Sequence, residues 1–115
     1  MKLPEQIPKS LRKMALVLPD FEEGEGAWAR DDALAVIDGL KGTTVAISDV
    51  VVWTKAPWGY AASDLALSIE RLPNEADADY AGRSRAAAGG FIQECESSEV
   101  EPLFALTFPI WKDAA

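Results

Sequence analysis

Few residues in this chain have the types and spacing to do chemistry. Glu22, Glu23 and Glu25 follow Asp20, with Gly24 among them and Gly26 after, a compact run of carboxylates. Such a run can imitate a phosphate backbone for a basic protein surface, or it can simply be a solvated loop. Trp58 and Tyr60 flank Gly59 in a short segment, and both are residue types enriched among the anchors of protein interfaces. Asp49 interrupts an apolar run. A carboxylate there must be hydrogen-bonded or change its protonation, so it either caps an irregularity or serves a function, and capping is the reading we favour. Arg83 and Arg85 stand among alanines, where an intramolecular ion pair or solvation is a simpler fate than a ligand clamp. Cys95 falls on an apolar helical stripe and reads as inert core.

Absences bound the chemistry. The sequence has no histidine, which removes Ser-His-Asp and Cys-His triads, His-containing zinc sites and the commonest general base. One cysteine permits neither an internal disulfide nor a multi-cysteine metal site, and points to a reducing compartment, the cytosol. No cofactor or metal is expected. Carboxylates alone can run glycoside chemistry, so a small enzyme pairing Glu22, Glu23 or Glu25 with Asp49 is one alternative, although no spacing motif supports it. A homo-oligomeric adaptor is another.

At 115 residues, 49% of them hydrophobic, the chain suits one domain spanning 1–115 with a single core. Its net charge of −8 argues against nucleic acid and for a positively charged protein partner. No apolar stretch approaches the ~20 residues that span a bilayer, and the run from Met14 to Leu18 is too short for a signal-peptide core.

These residues must be positioned by a small set of elements. Ile7, Leu11, Met14 and Leu18 predict a short amphipathic helix, with Pro8 in its first turn and Pro19 beyond its end. The acidic run follows as a loop. Asp31 or Asp32 can cap a second helix with an Ala33, Val36, Ile37 and Leu40 stripe, closed by Gly42. Residues 43–54 predict one bulged strand or two short ones, 55–62 a loop marked by Pro57 and Gly59, and Leu65, Leu67 and Ile69 a strand with one buried face. A long helix is predicted from Glu75 to Cys95 with Tyr80, Ala87, Phe91 and Cys95 inward; its Gly82, Gly89 and Gly90 call for close packing or a kink. Residues 103–110, apolar on both faces, predict a central strand. Trp28, Trp53 and Trp111 are expected in the core. Together these predict an α+β fold, a small, mainly antiparallel sheet with helices packed on one face.

As an ordered string, Ala27-Trp28-Ala29-Arg30-Asp31-Asp32-Ala33-Leu34 leading into Thr44-Val45-Ala46-Ile47-Ser48-Asp49-Val50 resembles the immunity protein 40 family of bacterial polymorphic toxin systems. Tyr80, Arg83-Ser84, Ile92 and Leu103-Phe104-Ala105-Leu106 resemble its second half. The family's glycine-glycine-aspartate-valine is Ile47-Ser48-Asp49-Val50 here, and its aspartate-asparagine-tryptophan segment is replaced by Pro57-Trp58-Gly59-Tyr60. The resemblance implies a cytosolic, non-enzymatic protein that binds and neutralises a cognate toxin. Glu22, Glu23, Glu25, Trp58 and Tyr60 are the residues expected to meet that partner.

Overall fold

The computed structural model describes residues 3–16, 21, 24–57, 59–95 and 102–109. The chain runs through α1 (Lys9–Met14), β1 (Glu25–Ala29), α2 (Arg30–Gly39), β2 (Asp49–Ala56), β3 (Gly59–Ser68), α3 (Asp77–Glu94) and β4 (Leu103–Thr107). The strands form one antiparallel sheet in the order β1-β4-β2-β3, with β4 inside it as its two apolar faces require. The α+β expectation holds.

Alternation along β4 divides the interior. Phe104 and Leu106, with Phe108 beyond, face the helices and join Trp28, Val50, Val52, Val36, Leu40, Ala88 and Ile92 in the main core. Leu103 and Ala105 face the other way, beside Ala27, with Phe21, Val51, Trp53 and Tyr60 packed over them. Trp28 is 1% exposed; its indole N–H donates to the Leu11 carbonyl at 2.8 Å and its ring meets Phe108 edge to face. A Cβ at Gly26 would lie 2.9 Å from Trp28 Cη2, so this strand glycine makes room for the indole.

Several boundaries differ from the sequence expectation. The first helix stops at Met14, because Leu16 leaves it to exchange two backbone hydrogen bonds with Ala27. Met14 is 52% exposed, and Leu18 lies outside the described residues. β1 was not anticipated: Glu25 begins a strand where a glycine-spaced acidic loop was expected, its pairing with β4 overriding weak local propensity. The second helix begins at Arg30, so Asp31 and Asp32 sit in its first turn, where they favour the positive end of the dipole, and neither is the cap. Gly42 follows the helix with φ +82°, a backbone that glycine adopts without strain.

The predicted 55–62 loop is a tight hairpin instead. β2 continues to Ala56, which pairs with Gly59 across Pro57 and residue 58. Strand β2 starts only at Asp49. Residues 43–47 cross the helical side as irregular chain, buried from Val45 to Ile47, and their backbone finds partners on α3 and locally. Arg85 Nη1 donates to the carbonyls of Thr43 and Val45 at 2.8 and 2.9 Å, and the Ile47 amide donates to Ser84 Oγ at 3.1 Å. Thr43 Oγ1 accepts from the Val45 amide.

The long helix faces inward through Tyr80, Ala81, Ser84, Ala88 and Ile92, a stripe one residue away from the expected one at several turns. Ala87 is exposed and Phe91 is half-buried at the rim of the core. Phe91→Ala should therefore cost less than the about 3–5 kcal/mol of removing a fully buried ring such as Phe104. Nor do the helix glycines mark close packing, since a Cβ at Gly82, Gly89 or Gly90 would meet nothing within 4 Å.

Two substitutions on α3 should thus move stability in opposite directions. Gly82→Ala, on the exposed face, should stabilise by roughly 0.5–1 kcal/mol. Ser84→Ala should destabilise by about 1–3 kcal/mol, because the buried Ile47 amide loses its acceptor. Urea denaturation of the two variants beside the parent checks both signs.

Candidate functional site

With α1, α2 and α3 on one side, the opposite face of the sheet carries no helix among the described residues. Register sets its composition row by row. Glu25, Thr107, Asp49 and Ser68 form one transverse row; Ala27, Ala105, Val51 and Ala66 the next; Ala29, Leu103, Trp53 and Ala62 the third; Lys55 and Tyr60 close it. The face is polar at one end, apolar through the middle, and aromatic and cationic at the other.

Its middle is only partly covered. Phe21 meets Trp53 edge to face at 5.5 Å between centroids, and both rings remain half-buried, as do Val51 and Tyr60. Trp53, expected in the core, thus lies over Leu103 and Ala105 with part of its surface open to solvent. Lys55 Nζ sits 5.3 Å from the centre of the Tyr60 ring.

Of the residues expected to meet a partner, Glu25 and Tyr60 occupy diagonal corners of this face, on the order of 20 Å apart by strand spacing. Glu22, Glu23, Trp58 and Trp111 lie outside the described residues. The contributions of Phe21, Val51, Trp53 and Lys55 were missed. The alternation Asp49, Val51, Trp53, Lys55 against Val50, Val52, Thr54 carried the signal, but it reads as function only once the helices are known to cover the other face.

Asp49 is a structural acceptor. Its Oδ2 accepts from Ser48 Oγ at 2.8 Å and its Oδ1 from Ser68 Oγ at 2.7 Å. Glu25 stands two strand spacings away across β4, about 10 Å between backbones. Among the described residues, no group of three or more acidic or cysteine side chains is placed to hold a metal ion. No helix there is long and apolar enough to cross a membrane.

Arg83 closes an internal network and is not poised as a ligand clamp. Its Nε and Nη2 donate to both Glu75 carboxylate oxygens at 2.8 Å, and Nη2 also donates to the Glu70 carbonyl. Arg71 and Arg83 lie 5.1 and 5.6 Å from the centre of the Tyr80 ring, whose hydroxyl donates to the Ile69 carbonyl. Burial of that hydroxyl raises the tyrosine's pKa. Cys95 is half-buried against the core.

Comparison with family models, with curated proteins and with solved structures finds no match to this chain.

The Glu75 and Arg83 pair makes a pH prediction. Hydrogen bonds from Arg83, then from the Leu72 amide, hold Glu75 down from 4.5 to about 2. A carboxylate depressed on folding contributes its full stabilisation above about 4.5, and loses it as pH falls toward 2. Carbon-detected NMR titration should find the Glu75 midpoint near 2 in the parent and displaced back toward 4.5 in Arg83→Gln. An unmoved midpoint would leave the depression to the backbone alone.

Proposed function

We propose that the chain is an immunity protein: it binds a toxin domain in the cytosol, one to one, and neutralises it without turnover. The observation that carries this reading is the sheet face that carries no helix among the described residues, where Phe21, Trp53 and Tyr60 stay partly exposed over a packed apolar floor. Aromatic side chains lose little conformational entropy on contact and bury large area, so a sheet face presenting Trp53 and Tyr60, with Phe21 set against Trp53, is suited to bind a protein surface. The resemblance of residues 27–50 and 80–106 to the immunity protein 40 family supplies the biological class, and the net charge of −8 supplies the character of the partner, a basic surface.

Coexpression with the toxin-domain protein encoded beside it tests the reading. A stable complex should form, and toxin activity should return once the two are separated. Trace amounts of this protein that abolish activity permanently would mean chemistry on the toxin and would refute sequestration. Within the complex, Trp53→Ala and Tyr60→Ala should hasten dissociation, each at a cost of roughly 2 kcal/mol or more. Raising ionic strength from about 0.01 M to 0.15 M should slow association much more than it changes dissociation.

A further inference from the structure

The two ends of the sheet are finished differently. At β1, the Leu16 backbone already occupies the outer edge, exchanging hydrogen bonds with Ala27 at 2.9 and 3.0 Å. At the other end β3, ten residues long and the longest strand, pairs only with β2 among the described residues. The Ile69 amide donates inward to the Ser48 carbonyl, so antiparallel alternation turns the backbone groups of Ser68 and Ala66 outward.

The usual guards of an exposed edge are weak here. Natural edge strands are commonly protected by lysine or proline, yet β3 contains neither and no lysine occurs between Lys55 and Lys112. Its one guard is a bulge: Ser63, Asp64 and Leu65 together oppose Val52, and the Leu65 amide donates to Ser63 Oγ at 3.1 Å. That bulge leaves Leu65 52% exposed with Asp64 exposed beside it. On either side, Ala61, Ala62 and Ala66 keep side chains small enough for another backbone to approach.

We propose that the outer edge of β3 accepts an extended, basic segment of the toxin as an added strand, with Leu65 as its apolar contact. This rests on the immunity reading for the partner's identity, while the charge of the edge sets its chemistry. From Gly59 to Arg83 the chain holds five carboxylates and two arginines. Both arginines are engaged, Arg71 with Asp77 and Arg83 with Glu75, and Lys55 sits at the far end over Tyr60, which leaves Asp64, Glu70 and Asp79 to set the field at the Leu65 end of the strand. Two copies of this edge would bring like charges together, whereas a lysine-bearing strand meets opposite charge as its backbone pairs.

Two variants leave the β2 ladder intact. Ala66→Pro removes an outward amide, a position at which an edge strand tolerates proline, and Asp64→Lys with Glu70→Lys reverses the field at exposed sites. The probe is a ten-residue peptide alternating valine and lysine, with a valine and glutamate counterpart as control. In ¹⁵N-labelled protein the lysine peptide should shift and protect the Ala66 and Ser68 amides, and the glutamate peptide should not. Affinity should fall at least tenfold in Ala66→Pro and severalfold in the charge-reversed variant, each first shown to be folded by its amide spectrum. Unchanged affinity in the charge-reversed variant, or shifts confined to other surfaces, would overturn the proposal; concentration-dependent protection of these amides without peptide would assign the edge to a second copy instead. The neighbouring toxin separates the two readings. Binding it with unchanged affinity in both variants would reject the edge and keep immunity, whereas no toxin complex beside peptide binding at β3 would reject immunity and keep the edge as a site for basic strands.

Discussion

The fold depends on how one buried stretch of irregular backbone is satisfied. Residues 43–47 leave α2 and cross the interior before the sheet begins, with Val45, Ala46 and Ile47 at most 6% exposed. Buried amides and carbonyls without partners cost free energy comparable to a lost hydrogen bond, and a stretch that is neither helix nor strand cannot pair with itself. Arg85 and Ser84 of α3 supply the partners, by donating to the Thr43 and Val45 carbonyls and accepting the Ile47 amide. Two consecutive residues of the helix thereby hold the chain that leads into β2. Arg30 draws α2 to the same helix, its guanidinium donating to the Ile92 carbonyl and lying over the Phe104 ring.

Fixing α3 on that side decides what the other side can do. All three helices are drawn to the face that holds Phe104 and Leu106, and among the described residues Leu103, Ala105 and Ala27 on the other face are packed by Phe21, Val51, Trp53 and Tyr60. A sheet covered by helices on one side commonly solvates the other with polar side chains. Here the middle two rows are alanine, leucine, valine and tryptophan, and polar character is confined to the ends. The result is an apolar band with carboxylates along one end, continuous through Tyr60 with the edge of β3 that pairs with no further strand among the described residues. Rigidity comes from the core beneath, so binding there would order few side chains and retain more of the contact energy.

What the sequence disclosed follows from which forces are local. The stripe Ala33, Val36 and Leu40, the two-faced apolar run of β4 and the change of period after Leu72 are written in consecutive residues, and they gave α2, the central strand and α3. β1 was hidden because Glu25-Gly26-Ala27-Trp28-Ala29 has little strand propensity; it becomes a strand through pairing with β4, nearly eighty residues later in the chain. The inward face of α3 was displaced because Phe91 and Cys95 advertise hydrophobicity while the positions that pack are occupied by Ala81, Ser84 and Ala88. Small residues mark where a helix comes close to neighbouring backbone, here α2 and the chain at Ile47, a signal that a hydrophobicity count does not register. Of the site, Tyr60 and Glu25 were legible as residue types, but the surface that joins Tyr60 to Trp53 exists only through register.

The same distinction bears on what a family resemblance carries. The residues that give this chain its likeness to the immunity protein 40 family are largely those that hold the fold. Trp28, Ala33, Val45, Ile47, Tyr80, Ser84, Ile92 and Phe104 are all at most 5% exposed, and Arg83 spends its donors on Glu75 and the Glu70 carbonyl. None of them offers a free group to a partner. Trp53, Tyr60, Asp64 and Leu65, which do reach solvent, lie outside the matching strings. Those residues belong to the architecture of this chain, a sheet with one face sealed by helices and the other without a helix among the described residues. Trp53, Tyr60 and the outer side of β3 lie apart from those contacts, so substitution there leaves intact what holds the chain together.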